Sequence, residues 1–408
     1  MGENNDKLNR RKFLAASLGG AVAAGLSGIY PQTVMAQETD KSTSEVKKKI
    51  ITRKLGRTGM ELPIVSMGVG GTNNPALIQA AYDKGVRMFD TAANYAYGRN
   101  EQMVGNMLSK LPDRSEVVIA TKILVPQQRQ SLTPENAEKQ ITTMVRGSLK
   151  KLKTDYIDIL YVHDVSTVDD LKRPEIYETL KKLKQDKLIR AVGVTSHSNM
   201  AELIDFVADS KHYDVFLTSI NFTMADDNAL MTAIKKAYNN GVGIVAMKTQ
   251  AGGARWPNPE SIRNHSQKTI AKSCLKWVLN HESITTSIPG YANFQELDED
   301  FDVAYDLALA PEEKSLLDDN DIRLGFEFCR QCKQCLASCP HNTDIPTLMR
   351  THMYAAQYGN FYLARQTLDN IPGSQNLTQC TSCDNCTAHC ANSVNIPRKI
   401  NELKLMYA

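Results

Sequence analysis

The stretch Arg87-Met88-Phe89-Asp90-Thr91-Ala92-Ala93-Asn94-Tyr95 decides how this chain is read. Its first part, Arg87–Asp90, reads as a short strand, and an acid and a phenol follow at and just past the strand's end. The layout recurs downstream: Val117–Thr121 runs into Lys122, and Ile157–Val162 runs into His163. Working outward, further strand-like runs stand at Pro63–Gly68, Ile189–Val194, Val215–Ile220, Gly243–Met247 and Thr285–Ile288. Amphipathic helical stretches alternate with them, near Pro75–Lys84, Glu101–Leu108, Pro134–Leu152, Pro174–Gln185, Met200–Ala208, Asn228–Asn239, Ser261–Asn280 and Asn293–Leu307. Eight such strand–helix units in about 250 residues predict an α/β fold, a closed (β/α)8 TIM barrel. The alternative is an open doubly wound sheet. Gly68-Val69-Gly70-Gly71 invites that reading, but it lacks the final glycine and the downstream acid of a dinucleotide fingerprint. Ile51–Val65, centred on Gly56-Arg57-Thr58-Gly59, reads as a β-hairpin ahead of the barrel.

In a barrel the C-terminal strand ends meet at one mouth, where active sites lie. Asp90, Tyr95, Lys122 and His163 are therefore expected to converge. Each alone has an ordinary explanation: a helix-capping acid, a solvated lysine, a satisfied rim histidine. Together, on three consecutive strands, they point to chemistry.

Over Arg53–Leu309 the chain resembles the aldo-keto reductase family. Asp90-Thr91-Ala92-Ala93-Asn94-Tyr95 matches its Asp-Thr-Ala-x-x-Tyr motif, and Gly98-Arg99-Asn100-Glu101 matches the turn that follows. Gly193-Val194-Thr195-Ser196 and Ile244–Lys248 with Gly252-Gly253 match its later strands. The resemblance implies hydride transfer between NAD(P) and a small-molecule carbonyl or alcohol substrate. Tyr95 would donate the proton, Lys122 would lower its pKa, Asp90 would hold Lys122, and His163 would orient the carbonyl. It places the nicotinamide cofactor against Thr195, Ser196, Asn221, Lys248, Gly290 and Glu299. Departures are concentrated there. Gly290 and Glu296 stand where the family often has Lys and Arg, Asp300 replaces an Asn, and Met247 replaces an aromatic residue. Carboxylates at Glu296–Asp300 would repel a 2′-phosphate, which speaks for NAD over NADP. Substrate-shaping loops are expected at Gln127–Thr133 and Gly252–Pro259, with Gln128, Arg129 and Trp256 as candidate lining residues.

The tail carries Cys329, Cys332, Cys335, Cys339 and then Cys380, Cys383, Cys386, Cys390, each set spaced C-x2-C-x2-C-x3-C. That spacing, with Cys339-Pro340 closing the first set, is the run of bacterial [4Fe–4S] ferredoxins. Ile345-Pro346 and Ile396-Pro397 follow the two sets at the same offset. The segment between, Ile345 to about Asn370, has helical spacing, so the tail resembles a two-cluster α-helical ferredoxin module. The ferredoxin pattern implies that Cys329, Cys332 and Cys335 share one cluster with Cys390, and that Cys380, Cys383 and Cys386 share another with Cys339. Zinc favours paired C-x2-C knuckles across a longer gap, and thiols this crowded make a poor disulfide framework. Cys274, alone in an apolar helix, reads as core.

Arg10-Arg11-Lys12-Phe13-Leu14, a short Gly- and Ala-rich apolar stretch, and Val34-Met35-Ala36 resemble a twin-arginine export signal. The alternative, a membrane anchor, asks for a longer apolar run. The expected division is a signal at 1–36, a polar linker at 37–50, the barrel at 51–325 and a small all-α iron–sulfur domain at 326–408. Export before signal removal implies a periplasmic protein with no membrane span left. A formal charge of +3 over 408 residues gives no basis for nucleic-acid binding. The expected function is an exported oxidoreductase passing electrons through two [4Fe–4S] clusters to a redox partner protein. The alternative is an electron-transfer or assembly partner whose barrel is catalytically silent.

Overall fold

The structure is a computed structural model and describes residues 49–124, 133–252, 265–383 and 385–407. The expected signal, nearly all of the linker, and the loops carrying Gln128, Arg129 and Trp256 lie outside those residues. From Lys48 to Ala408 the chain is one compact unit. Among the described residues no helix is long and apolar enough to cross a membrane.

Strands β1 (Thr52–Lys54) and β2 (Glu61–Pro63) form the expected hairpin, turning through Gly56–Thr58. Eight parallel strands follow: β3 (Met67–Gly68), β4 (Met88–Asp90), β5 (Val118–Ile123), β6 (Ile157–Val162), β7 (Ile189–Ser196), β8 (Val215–Ser219), β9 (Gly243–Met247) and β10 (Thr286–Ser287). They pair in chain order. Val65 bridges Ser287, and Ser66 N and Ser287 N donate across that seam at 2.8 and 2.9 Å, joining the sheet's two edges into a barrel. The open-sheet alternative is thereby removed.

Helices form at Pro75–Lys84, Pro134–Leu152, Pro174–Gln185 and Asn228–Asn239, with the bounds the sequence pattern gives. Proline at the first helical position and side-chain caps from Asn74 and Asp227 set three of those starts and the fourth. Other bounds differ from expectation; the helix expected over Ser261–Asn280, for example, runs from Gln267 to Leu279. The first barrel strand is shorter, because Pro63 is spent in the hairpin. The helix expected over Asn293–Leu307 stops at Phe301 and tightens into a 3-10 turn, Asp302–Tyr305. That turn buries Phe301 and Ala304 together and frees the Ala304 carbonyl to accept from Ile51 N at 2.8 Å.

Met88, Ala120, Ile159, Tyr161, Leu217 and Val245 fill the barrel, and Leu55, Met60 and Leu62 of the hairpin close its floor. The tail adds helices Ile345–His352, Phe361–Asp369 and Ile396–Tyr407, with a π-helical turn at Met353–Gln357. It has its own core around Leu348, Ile371, Ile396 and Leu403. Phe326, Phe328, Met353, Tyr354 and Ala364, however, belong to the barrel's outer core. The expected boundary at 325/326 is thus crossed by continuous apolar packing.

Leu55→Ala opens a cavity in the barrel floor and should cost about 3 kcal/mol. Chemical unfolding of the iron-loaded protein checks this, with iron content expected to stay unchanged.

Candidate active site and cluster module

Asp90 ends β4, Lys122 lies near the end of β5, His163 follows β6, and Tyr95 comes five residues after Asp90. The barrel brings them together. Lys122 Nζ donates to Asp90 Oδ1 and, at 2.7 Å, to the Thr91 carbonyl. It stands 5.1 Å from the Tyr95 ring centroid. The Tyr95 and His163 rings meet edge-on with centroids 6.0 Å apart.

The Gly98–Glu101 turn explains why these strand ends stay in register. Asn100 Oδ1 accepts from Thr91 Oγ1 at 2.6 Å and its Nδ2 donates to the Val69 carbonyl at 2.8 Å. Glu101 accepts from Thr121 Oγ1 at 2.7 Å. Both side chains are buried, so the motif ties β3, β4 and β5 directly beneath Asp90 and Lys122. Gly70 leaves space for the phenol: a Cβ there would meet Tyr95 Cε2 at 2.7 Å. Ala96 and Tyr97 take positive φ of 48° and 56°, a conformation disfavoured for side-chain-bearing residues, in the turn that presents Tyr95.

Burial sets the electrostatics. It pushes the Asp90 carboxyl up and the Lys122 ammonium down, against their mutual attraction. His163 is pushed down to about 3 by burial and by Lys122, so its imidazole is neutral. The expected effect of Lys122 on Tyr95 is opposed by burial. Burial raises the Tyr95 pKa well above the usual phenol value, and the Asp90 carboxylate adds to the rise. Lys122 meanwhile spends its donors on Asp90 and Thr91. Asp90 Oδ2, Asn94 Oδ1 and His163 Nδ1 are buried without hydrogen-bond partners, leaving polar capacity at the mouth.

Most of the six positions marked for nicotinamide have protein neighbours in this arrangement. Thr195 Oγ1 accepts from Asp164 N at 2.9 Å, and Ser196 Oγ lies 2.7 Å from the Val165 carbonyl. Asn221 donates to the Lys248 carbonyl at 3.2 Å and accepts from Thr223 Oγ1 at 2.7 Å. These three are buried and turned into the protein. Lys248 Nζ lies 2.9 Å from the Tyr354 hydroxyl, and Glu299 accepts from Gln295 at 2.9 Å; Gly290 alone of the six is exposed.

The tail covers the mouth. Arg350 grips Asp164 with two parallel hydrogen bonds of 3.2 Å, and Asp164 is the residue after His163. Burial disfavours the Asp164 carboxylate, but Arg350 more than offsets this and holds its pKa well below the usual range. Gln366 donates to the Asn94 carbonyl at 3.2 Å, and Tyr97 packs on Tyr362 with centroids 4.8 Å apart. A Cβ at Gly252 would strike Gln357 Oε1 at 2.6 Å, so that glycine lets the π-turn sit down. Asp164, His197, Arg350 and Tyr354 were not legible as site residues. A charge or ring on an amphipathic helix carries no mark of what it will face.

Two cavities hold the clustered thiols. One, of about 340 Å³, is lined by Cys329, Cys332, Cys335 and Cys390; the other, of about 380 Å³, by Cys339, Cys380, Cys383 and Cys386. This is the crossed sharing the ferredoxin pattern implies, with four thiols around a space large enough for a cubane. Burial pushes Cys329 up to about 12 and Cys335 up to about 11. Bound iron would supply the positive charge that their thiolates need. Gln331 donates to Cys329 Sγ and Asn392 N to Cys390 Sγ, both at 3.3 Å. Cys274 is a buried helix residue, as expected.

Comparison with known proteins agrees with this architecture. Residues 72–260 match the aldo/keto reductase family, and residues 328–395 match a 4Fe-4S dicluster domain. The chain is 31% identical over 312 residues to pyridoxal 4-dehydrogenase of Microbacterium luteolum, spanning 60% of this chain and 90% of that protein. It is 26% identical over 285 residues to L-galactose dehydrogenase of Arabidopsis thaliana, spanning 62% and 87%. In fold it is similar to an aldo-keto reductase of Bacillus halodurans in its holo form (TM-score 0.54, 21% identity, 67% of this chain and all of that one). It is likewise similar to an aldo/keto reductase of Klebsiella pneumoniae in complex with NADP and acetate (TM-score 0.52, 23% identity, 67% and 95%). The chain belongs to the aldo/keto reductase family of oxidoreductases, and it carries a 4Fe-4S domain beside the barrel.

His163 titrates near 3 when folded, below its ordinary 6.5. The unfolded chain therefore takes up the proton first as pH falls. Its contribution to stability is full above pH 6.5 and is lost toward pH 3, by up to about 1.4 kcal/mol per pH unit. Unfolding free energy should fall between pH 7 and pH 5, and fall less in His163→Gln. Parallel slopes would contradict the buried neutral imidazole.

Proposed function

We propose that this protein is an exported oxidoreductase that interconverts a carbonyl and an alcohol by nicotinamide hydride transfer at the Asp90–Tyr95–Lys122–His163 site, with electrons passed through two [4Fe–4S] clusters. One observation carries the reading: the first thiol set borders the barrel mouth. Cys329 lines the same cleft as His197, Lys248 and Arg350, beside His163. The carbonyl–alcohol couple moves two electrons, and two clusters passing one each match that count.

The residues divide the work. His163, neutral and with an unpartnered Nδ1, orients the substrate oxygen. Tyr95, with its pKa raised, keeps its proton until charge builds on that oxygen, and then gives it up. Lys122, held by Asp90 and the Thr91 carbonyl, supplies the positive charge that steadies the resulting phenolate. A bound nicotinamide would supply the hydride to the carbonyl carbon while Tyr95 supplies the proton at oxygen. The start of the helix Phe294–Phe301 is self-filled: Glu296 accepts from Ala292 N at 2.7 Å and from Asn293 at 3.0 Å. This supports NAD rather than NADP wherever a nicotinamide is used. The paired arginines Arg10-Arg11 support twin-arginine export to the periplasm, a route that carries folded, cluster-loaded proteins. The covered mouth is what favours the second reading, an electron-transfer or assembly partner with a silent barrel.

Tyr95→Phe should cut carbonyl turnover by about 10²-fold or more while iron content and thermal midpoint stay unchanged. Wild-type turnover in that variant would remove the tetrad mechanism. The mature protein, purified without oxygen, should carry roughly eight irons. Its denatured extract should be analysed for nicotinamide, and its clusters followed by absorbance and paramagnetic resonance as candidate carbonyls and alcohols are added. Clusters that change oxidation state with a substrate support the enzyme; clusters that ignore all of them, with no turnover, support the silent barrel.

A further inference from the structure

Between the barrel mouth and the tail lies a cleft of about 450 Å³, lined in part by His197, Lys248, Arg330, Arg350 and Lys399, with Cys329 on its wall. Its charges do not balance. Arg330 pairs with Asp226 at 2.6 Å, Arg350 with Asp164 at 3.2 Å, and Lys399 with Glu327 at 3.5 Å. Lys248 has only the Tyr354 hydroxyl and ring, and among the described residues no carboxylate pairs with it. Lys248 also holds a left-handed φ of 56°, an unfavourable conformation for a lysine, at the end of β9.

Two further groups on the cleft wall are unsatisfied. His197 is 8% exposed and its Nδ1 has no hydrogen-bond partner. Arg350 Nε is buried and likewise unpartnered. Burial lowers His197 well below the usual histidine range, and Arg350 and Lys248 lower it further, as an uncompensated positive site would. Unpaired buried donors beside an excess cation call for an anion. Met200, Phe328 and Met353 also line the cleft, so the fitting anion has an apolar body.

We propose that this cleft binds a small organic carboxylate, its anionic group held by Lys248 with the free nitrogens of His197 and Arg350, and its carbon body against Met200 and Phe328. Resting on the oxidoreductase reading above, this names the substrate class as an oxo acid and its hydroxy acid. Asp164 links Arg350 to His163, so a carboxylate seated here lies beside the tetrad with Cys329 near.

The test is calorimetric titration of the full, cluster-loaded protein at low ionic strength, under argon. The probes are pyruvate, 2-oxoglutarate, phenylpyruvate and the uncharged methyl pyruvate. At least one acid should bind and the ester should not. Lys248→Gln should weaken the acid at least about tenfold, and Lys248→Arg should restore most of it. Iron content and thermal midpoint are read on each variant to confirm folding. No acid binding, equal binding of the ester, or unchanged affinity in Lys248→Gln overturns the site. Turnover is scored separately. Acids that bind without any redox change leave the site standing and remove the carbonyl chemistry; uncharged carbonyls that turn over while no acid binds do the reverse.

Discussion

The contact on which the mouth depends is the ion pair between Arg350 and Asp164. It joins a tail helix to the residue after His163, and Arg350 is only 11% exposed there. Asp164 is 40% exposed, so solvent screens part of the attraction, while removing Asp164 would leave the Arg350 charge largely buried. Asp164 adopts φ 55°, and Thr195 fixes its amide. The guanidinium thus acts on a backbone already bent to meet it. Once Arg350 is docked, the π-turn beyond it has little freedom, and Tyr354 falls onto Lys248. One interaction therefore orients His163, seats the tail and closes the mouth.

The crossed thiol sets follow from the same compactness. Cys390 joins the first set and Cys339 the second only because the two cysteine stretches lie side by side. Ser338 carries that contact: its carbonyl accepts from Thr387 Oγ1 at 2.9 Å, and its hydroxyl accepts from His389 N at 3.2 Å. Each cluster would then tie together residues some fifty apart in sequence, making cluster assembly a condition for the tail's shape. The tail's shape in turn is a condition for the covered mouth.

At some motif positions the structure adds neighbours that the motif does not name. Thr195, Ser196 and Asn221 stand at family positions for a cofactor, yet here their polar groups are spent on Asp164, Val165 and Lys248. Tyr95 shows the same effect in its electrostatics. Proximity to Lys122 would lower its pKa, but desolvation under the tail outweighs that attraction.

By itself the sequence determined the barrel, several of its helix bounds, the convergence of Asp90, Tyr95, Lys122 and His163, and the two cysteine sets. All of these rest on local signals: hydrophobic period, prolines and caps at helix starts, residues placed at strand ends, and cysteine spacing. Only the tertiary structure decided that the tail packs on the mouth, that Arg350 meets Asp164, that no carboxylate among the described residues pairs with Lys248, and that Tyr95 is buried. Those facts depend on pairs such as Arg350 and Asp164, separated by 186 residues. Spacing along the chain encodes which face a residue takes on its own helix or strand. It does not encode which distant charge that face will meet, or how much water the meeting will exclude.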